Sequence, residues 1–411
     1  MTVTIDGIRA AAALLEGQVV RTPTVRAGRL AEALGAAELV LKLENQQYTG
    51  SFKDRGALNK LLSLGPEEAR QGVVAMSAGN HAQGVAYHAK RLGIPATIVM
   101  PKGTPFTKVE RTRSFGARVV LEGETIDGSA EFARGLAAAE NLTFVHPYDD
   151  PLIVAGQGTI GLEMLADAPE LDTIVVPIGG GGIISGIATA VKTQRPEIDV
   201  VGVEAALCPS MHHAIHGLEP SFAGQTLAEG IAVKTPGKLT RAIIERLVPE
   251  ILLVEEGAIE RAVQMLVEVQ KIVAEGAGAA GIAAMLGYPE RFKDRRVGVV
   301  ICGGNIDSRV LAQVLMRGLV RDGRVITLRI EIADQPGVLA RLAGAIGEMG
   351  GNIIEIYHQR MFFDLPVKRA DVDAVIETRN AEHAREIVAA LQASGFQTRR
   401  LSARSIGDAD E

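Results

Sequence analysis

The sequence predicts an α/β protein with two parallel-sheet α/β domains, followed by a small βαββαβ unit of ferredoxin-like type. Short β-branched runs alternate with longer helical patterns between residues 39 and 318, and several of these runs end in glycine-rich turns. The pattern changes near residue 324, where a second set of elements begins. Alternation of strands and helices is typical of parallel sheets covered by helices. A chain of 411 residues also exceeds what one hydrophobic core supports, which favours more than one domain.

The predicted strands of the parallel sheets are short runs rich in Val, Ile and Leu. Stretches with helical periodicity, such as residues 81–92, separate them. The strands are LVLKLE at 39–44, GVVAMS at 72–77, ATIVM at 96–100, ARVVLE at 117–122, TIVVPI at 173–178, DVVGVE at 199–204 and VGVVIC at 297–302.

The C-terminal part repeats a strand and helix order that can fold on its own. Strand, helix, strand, strand, helix and strand are predicted at 325–333, 337–349, 352–359, 367–378, 381–394 and 396–402. This order is that of a ferredoxin-like unit. The last residues, 403–411, are polar, and we expect a flexible tail.

Composition and charge exclude several partner classes. The net charge of -6 provides no basic surface for nucleic acid, and no apolar run is long enough to span a bilayer, so neither partner is expected. The N-terminal stretch lacks the basic and apolar regions of a secretion signal. Two distant cysteines, Cys208 and Cys302, fit a reducing compartment, and we expect a cytoplasmic protein.

A run of four glycines predicts a phosphate-binding turn. Gly179 to Gly182 follow the strand TIVVPI and precede a helical stretch, so their N–H groups and the helix dipole can face one anion. A dinucleotide motif fails, because its third glycine position falls on Ile184 or Ser185. The chain also has no P-loop. The pattern therefore favours a small phosphorylated cofactor.

Pyridoxal phosphate (PLP) is the cofactor that fits the other polar residues near the glycine-rich turns. It requires a lysine for a Schiff base, a phosphate cradle, and partners for its ring oxygen and ring nitrogen. Lys53 in TGSFKDRGA, the glycine run, Asn80 and Cys302 can supply these groups in that order.

The motifs that carry this chemistry resemble those of a known enzyme group. TGSFKDRGA, SAGNHAQG, PIGGGGIISG, TLAEGIAVKTPG and ICGGN are similar to motifs of the threonine and serine dehydratases, members of the tryptophan synthase β-like (fold-type II) PLP enzymes. The resemblance covers residues 5–320 and is closest to threonine ammonia-lyases. It implies a large domain of residues 1–50 and 151–320, with a small domain of residues 51–150 inserted in it. It also implies a homodimer or homotetramer that converts L-threonine, and L-serine, to 2-oxobutanoate or pyruvate and ammonia.

The resemblance also implies a role for each motif residue. Lys53 forms the Schiff base and later removes the α proton. The remaining cofactor contacts are Phe52 beside the ring, Asn80 at the ring oxygen, Cys302 at the ring nitrogen, and Gly179, Gly180, Gly181, Gly182 and Ile183 at the phosphate. The substrate carboxylate is expected on Ser77, Ala78, Gly79, Asn80 and His81, at a helix N-terminus.

Two positions favour elimination over other PLP reactions. A neutral thiol at Cys302 cannot keep the ring nitrogen protonated, which makes the ring a weaker electron sink. Ala78 occupies the position of the second acid/base serine of serine racemases, so racemisation is not expected. The alternatives are a serine or threo-3-hydroxyaspartate dehydratase, a β-replacing synthase, or a non-catalytic nucleotide-binding regulatory protein.

Metal binding is weakly indicated. Glu204 matches a cation ligand of the family, but Ser210 replaces an aspartate of divalent-binding relatives, so a monovalent cation or none is expected. Cys208, His212 and His216 recur every four residues, as zinc ligands on one helix face would. A proline at 209 and the lack of a fourth ligand favour packed or exposed histidines instead.

The C-terminal unit, residues 321–402, resembles an ACT domain. DQPGVLARL at 334–342 and GGNIIEI at 350–356 carry the resemblance. It implies an amino-acid effector, with branched-chain amino acids such as isoleucine as candidates, and the alternative is an oligomerisation unit without a ligand. The expected effector contacts are Gly337, Val338, Leu339, Asn352 and Ile353.

Overall fold

The structure is a computed structural model that describes residues 2–359 and 368–401. The chain divides into two compact units, Met1–Asp307 and Ser308–Glu411. Each unit has its own hydrophobic core. In the part of the chain that the structure describes, every helix is too short or too polar to cross a membrane.

The first unit contains a six-stranded and a four-stranded sheet. The strand orders are β1-β2-β10-β7-β8-β9 and β5-β4-β3-β6. All neighbouring strands in these sheets are parallel except β1, which pairs antiparallel with β2. The strands are β1 (Thr24–Arg26), β2 (Glu38–Lys42), β3 (Val73–Met76), β4 (Ala96–Met100), β5 (Arg118–Leu121), β6 (Thr143–Phe144), β7 (Thr173–Pro177), β8 (Asp199–Ala205), β9 (Glu250–Val254) and β10 (Arg296–Val300).

Helices connect and cover these strands. They are α1 (Ile5–Leu15), α2 (Gly28–Leu34), α3 (Lys53–Leu62), α4 (Pro66–Gln71), α5 (Asn80–Leu92), α6 (Phe106–Ser114), α7 (Ile126–Glu140), α8 (Pro151–Asp167), α9 (Gly182–Gln194), α10 (Ser210–His216), α11 (Lys238–Leu247), α12 (Glu256–Glu268), α13 (Gly276–Gly287) and α14 (Pro289–Phe292).

The predicted α/β class is confirmed, and each of the seven predicted strands of the parallel sheets forms within a few residues of its expected bounds. The sequence does not predict β1, β6 or β9. The first two have three and two residues, which is too short for a recognisable pattern. The apolar run of β9 lies directly before a long helical stretch, so its sequence pattern cannot be separated from that of the helix.

The second unit is an antiparallel sheet with helices packed against it. It begins with α15 (Ser308–Arg321) and continues with β11 (Val325–Ala333), α16 (Val338–Glu348), β12 (Asn352–Gln359), β13 (Arg369–Glu377), α17 (Ala381–Ala393) and β14 (Gln397–Arg400). The strand order is β12-β13-β11-β14. Alternate residues of β11, including Leu328 and Ile330, meet Leu342 of α16 and Ile387 of α17 in one core. The predicted βαββαβ order is confirmed.

Candidate active site

Lys53 is the first residue of α3 and is half-buried. Its Nζ donates a hydrogen bond to the carbonyl oxygen of Pro147 at 2.9 Å and lies 5.0 Å from the centre of the Phe52 ring. Burial lowers the pKa of Lys53 to about 8, although the nearby Cys302 and Glu275 act in the opposite direction. The amine is therefore far closer to its neutral, nucleophilic form at physiological pH than a surface lysine is.

The turn before Lys53 is held by buried polar contacts. The carboxylate of Asp54 accepts hydrogen bonds from the backbone N–H of Thr49, at 3.0 Å, and from the Thr49 hydroxyl. The N–H of Phe52 donates to the carbonyl oxygen of Cys302 at 3.0 Å, and Ser51 forms an isolated β-bridge with Gly303. These contacts attach the lysine-bearing turn to the loop that follows β10.

Asn80 connects two further loops to this site. It begins α5 directly after the turn that follows β3. Its Nδ2 donates to Oε1 of Glu275 at 2.7 Å, and its Oδ1 accepts from Nδ2 of Asn305 at 2.8 Å. The loops after β3 and β10 therefore meet at this site.

The glycine run occupies the end of β7 and the start of α9 as the sequence predicts. Gly181 has a φ of 91°, a conformation that favours glycine, and precedes the first residue of the 13-residue α9. Within residues 2–359 and 368–401, none of the N–H groups of Gly179 to Gly182 donates a hydrogen bond. Four free N–H groups at a helix N-terminus suit a phosphate dianion.

Two other polar atoms fit a cofactor with a pyridine ring and a phosphate. The buried hydroxyl of Ser51 has no hydrogen-bond partner among the described residues. The thiol of Cys302 is also buried, and burial raises its pKa well above the usual value, so it is neutral. The free N–H groups, the unpaired hydroxyl, the neutral thiol and the amine with a lowered pKa are together compatible with bound PLP.

Comparison with known proteins agrees with this geometry. The family of pyridoxal-phosphate dependent enzymes matches residues 15–303, and the ACT domain family matches residues 326–393. This chain belongs to the pyridoxal-phosphate dependent enzymes.

Two relatives of this PLP-dependent enzyme are similar to it along nearly its whole length. L-threonine ammonia-lyase of Thermotoga maritima is 43% identical over 399 residues, which cover 97% of this chain and 99% of the relative. L-threonine ammonia-lyase of Geobacter sulfurreducens is 44% identical over 384 residues, covering 93% and 95%. The solved structure of maize serine racemase superposes with a TM-score of 0.72 at 33% identity, covering 78% of this chain and 99% of the racemase.

Sequence reasoning missed four residues of this PLP-dependent enzyme that contact the predicted ones. Asn305 is the last residue of the ICGGN motif, so its position could have indicated a role, whereas Glu275 directly precedes α13 and lies outside any motif. Pro147 and Tyr148 lie between β6 and α8, where Tyr148 donates to the carbonyl oxygen of Thr235 at 2.8 Å. These contacts depend on chain segments that are distant in sequence.

The remaining predicted substrate contacts lie in the turn between β3 and α5. Ser77, Ala78 and Gly79 form this turn, and the Ser77 hydroxyl accepts from the N–H of Gly79 at 3.1 Å. His81 is buried, and its Nε2 lies 3.0 Å from the carbonyl oxygen of Val145. Burial lowers the pKa of His81 to about 3, so its ring is neutral.

Glu204 is used differently from a typical cation ligand. Both of its carboxylate oxygens accept backbone N–H groups at the start of α10, from Met211 and His212 at 2.8 Å each. Burial raises its pKa to about 7 despite these bonds. Among the described residues, no three His, Cys, Asp or Glu side chains are grouped to hold a metal, including Cys208, His212 and His216.

The predicted effector residues fall at two ends of the C-terminal sheet. Gly337 lies in the loop after Ala333, whereas Asn352 is aligned with Glu377, which pairs with Val325 at the other end of β11. Val325 and Ala333 are eight residues apart along β11, which corresponds to roughly 26 Å at the usual rise per residue. Val338 is buried in the core, and Leu339 and Ile353 pack against it. Asn352 also donates to Glu377 at 3.0 Å.

Proposed function

We propose that this enzyme converts L-threonine to 2-oxobutanoate and ammonia, and L-serine to pyruvate and ammonia, as an ammonia-lyase. The observation that carries the proposal is the similarity along nearly the whole chain to two bacterial enzymes that are named L-threonine ammonia-lyase. The arrangement of Lys53, Asn80, Cys302 and the glycine run supports it, because these groups can hold PLP and supply the base that a β-elimination needs.

Lys53 has two proposed roles in the reaction. PLP, when bound, supplies an aldehyde and a conjugated ring that together make the α proton of an amino acid acidic. Lys53 would hold the cofactor through Nζ, beside the Phe52 ring, and its free amine would take up the α proton at the same atom. A pKa of about 8 suits this second role, because only a neutral amine can accept a proton.

The other residues are proposed to bind and orient. The amides of Gly179 to Gly182, with Ile183, hold the cofactor phosphate, and the turn from Ser77 to His81 holds the substrate carboxylate at the N-terminus of α5. Asn80 would donate to the ring oxygen of the cofactor. Cys302 would adjoin the ring nitrogen and, as a neutral thiol, would not protonate it. The ring would then supply a weaker electron sink, which suits elimination of the β-hydroxyl.

Serine racemisation is the second candidate, because the fold closely matches that of the maize racemase. Ala78 argues against it, since a methyl group cannot deliver a proton to the opposite face of the substrate. Dehydration of serine or of threo-3-hydroxyaspartate as the main activity would use the same lysine and the same cofactor contacts, so relative rates with the three substrates distinguish these activities.

The wider organisation is proposed on the same basis. We infer a large domain of residues 1–50 and 151–320, a small domain of residues 51–150, and regulation by an amino acid through the ACT domain at 321–402. Isoleucine is the first effector to test, with the contacts predicted from Gly337 to Leu339 and at Asn352 and Ile353. We also propose a homodimer or homotetramer in the cytoplasm, with a monovalent cation at Glu204 or none.

An assay of 2-oxo acid formation tests the proposal. Purified protein with PLP is given L-threonine, L-serine or threo-3-hydroxyaspartate, with and without isoleucine, and the products are also separated on a chiral column. We expect the highest kcat/KM with threonine, no D-amino acid, and no activity or visible cofactor band in Lys53→Ala. A higher kcat/KM with hydroxyaspartate, or D-serine as a main product, would contradict the assignment.

A further inference from the structure

The side-chain amide of Asn80 is held at both of its polar atoms. Nδ2 donates to Glu275 and Oδ1 accepts from Asn305, at 2.7 and 2.8 Å. A primary amide can be turned by half a rotation, which exchanges its donor and its acceptor. The direction in which Asn80 presents its N–H groups therefore depends on these two neighbours.

The carbonyl oxygen of Thr49 determines, through Asn305, how the Asn80 amide is oriented. Nδ2 of Asn305 donates to the carbonyl oxygen of Thr49 at 2.7 Å as well as to Oδ1 of Asn80. A carbonyl oxygen can only accept, so the NH2 group of Asn305 has to face it, and both hydrogens of that group are then used. Because Asn305 offers a donor to Asn80, the Asn80 oxygen faces Asn305 and its nitrogen faces the other way.

Glu275 completes the arrangement on the nitrogen side. Its carboxylate oxygen takes one hydrogen of Asn80 Nδ2, and among the described residues no second acceptor takes the other. The loop leaves room for this contact only because residue 303 is glycine. A Cβ atom at Gly303 would collide with Oε1 of Glu275 and lie 3.2 Å from Asn80 Nδ2.

We propose that Glu275 and Asn305 are positioning residues that hold the Asn80 amide with one N–H free for the phenolic ring oxygen of PLP. The proposal rests on the function proposed above only in placing that oxygen beside Asn80. Thr49 lies four residues before Lys53, so the same turn that carries the Schiff-base lysine also sets the donor for the ring oxygen. Burial raises the pKa of Glu275 to about 7, and the hydrogen bond from Asn80 favours its ionised form.

Replacing Asn305 tests this directly. An Asn305→Asp side chain has no donor, so the Asn80 amide should turn over to donate to it. Oδ1 of Asn80 would then face the ring oxygen of PLP, and both of these atoms are acceptors. We expect PLP to bind about tenfold more weakly, the usual effect of losing a hydrogen bond to a charged group. The ratio of the visible to the near-ultraviolet absorption band of bound PLP should also fall. Asn305→Ala, which merely frees the amide, should lie between this variant and the wild type.

Glu275 and a neighbouring asparagine supply the matched comparisons. Glu275→Gln keeps an acceptor and should change the band ratio less than Glu275→Leu. Asn45→Ala is the control, since Asn45 Nδ2 donates to the carbonyl oxygen of Val273 at 3.0 Å in the same region without contacting Asn80. Its band ratio and PLP affinity should equal those of the wild type.

The absorption spectra and a PLP titration decide the outcome on each purified variant, with thermal unfolding as the check on folding. A folded Asn305→Asp variant with the wild-type band ratio and PLP affinity would overturn the proposal. If that variant does not fold, unchanged spectra in Asn305→Ala and Glu275→Leu would overturn it equally. Threonine turnover is a separate readout, so a protein that shows the expected spectra without deaminating threonine supports the positioning role while contradicting the proposed function.

Discussion

The guanidinium group of Arg55 forms a double hydrogen bond with the carboxylate of Glu44, at 2.8 and 2.7 Å, and both side chains are buried. Arg55 also donates to both oxygens of Glu163, at 2.6 and 2.9 Å, and Lys42 donates to Glu163 at 2.5 Å. Two cations and two carboxylates thus balance each other. Arg55 follows Lys53 by two residues, so this network fixes the first turn of α3 against β2 and α8.

Removing Arg55 should destabilise the first unit strongly. Burial alone would raise the pKa of Glu44, but the charge and hydrogen bonds of Arg55 hold it below its usual value. An Arg55→Met variant leaves buried carboxylates without their cation, which should lower the free energy of unfolding by about 3–5 kcal/mol. Thermal and urea unfolding of the full-length protein measure the loss. Arg241→Met is the control, because Arg241 meets Glu245 at 3.0 Å on the surface and such pairs contribute about 0.5 kcal/mol. Equal losses in the two variants would contradict this view.

Uptake of PLP by the cofactor-free protein should accelerate as the pH rises through about 8. The neutral form of Lys53 attacks the aldehyde, and its fraction grows about tenfold per pH unit below the pKa before levelling above it. Stopped-flow absorbance between pH 6 and 10 follows the reaction, a range that brackets the lowered pKa of about 8 and ends below the ordinary lysine pKa of about 10.4. A rate that keeps rising through pH 10 would indicate an ordinary lysine.

Gly180→Ala should weaken cofactor binding. A Cβ atom at residue 180 would fall within the ring of Tyr148, so the glycine run or the tyrosine has to move. Overpacking of this kind costs about 1–3 kcal/mol, which corresponds to a loss of PLP affinity of up to about 100-fold. Fluorescence titration with PLP measures it. Gly135→Ala on α7, where a Cβ meets no atom within 4 Å, should leave affinity unchanged. Recovery in Gly180→Ala/Tyr148→Ala would identify the ring as the cause, and no recovery would argue against it.

His81 should make the protein less stable in acid. Its pKa is about 3 in the folded protein, from 6.5 in the free side chain. As the pH falls from 6.5 toward 3, the unfolded chain binds a proton that the folded one does not, so stability is lost by up to about 1.4 kcal/mol per pH unit. The urea midpoint of His81→Gln should therefore fall less between pH 6.5 and 5 than that of the wild type. Burial also lowers the pKa of His146, to about 4, so the variant should still lose some stability as the pH falls. Parallel profiles for variant and wild type would contradict the role of His81.

The sequence alone determined the α/β class, the C-terminal βαββαβ unit and the positions of Lys53 and the glycine run. These features depend on local signals: apolar runs of strand length, helical periodicity, and glycines placed directly after a strand. The short strands β1 and β6 lie below the length at which such signals appear, and β9 is hidden by the helix beside it.

Only the tertiary structure decided which groups surround these motifs. Glu275 is 195 residues from Asn80, and Asn305 is 256 residues from Thr49, so no local pattern relates them. The lowered pKa of Lys53 and the neutral states of Cys302 and His81 likewise arise from burial. Desolvation and hydrogen bonding depend on how distant segments pack, because the energy of a charge is set by the atoms around it and not by its neighbours in the chain.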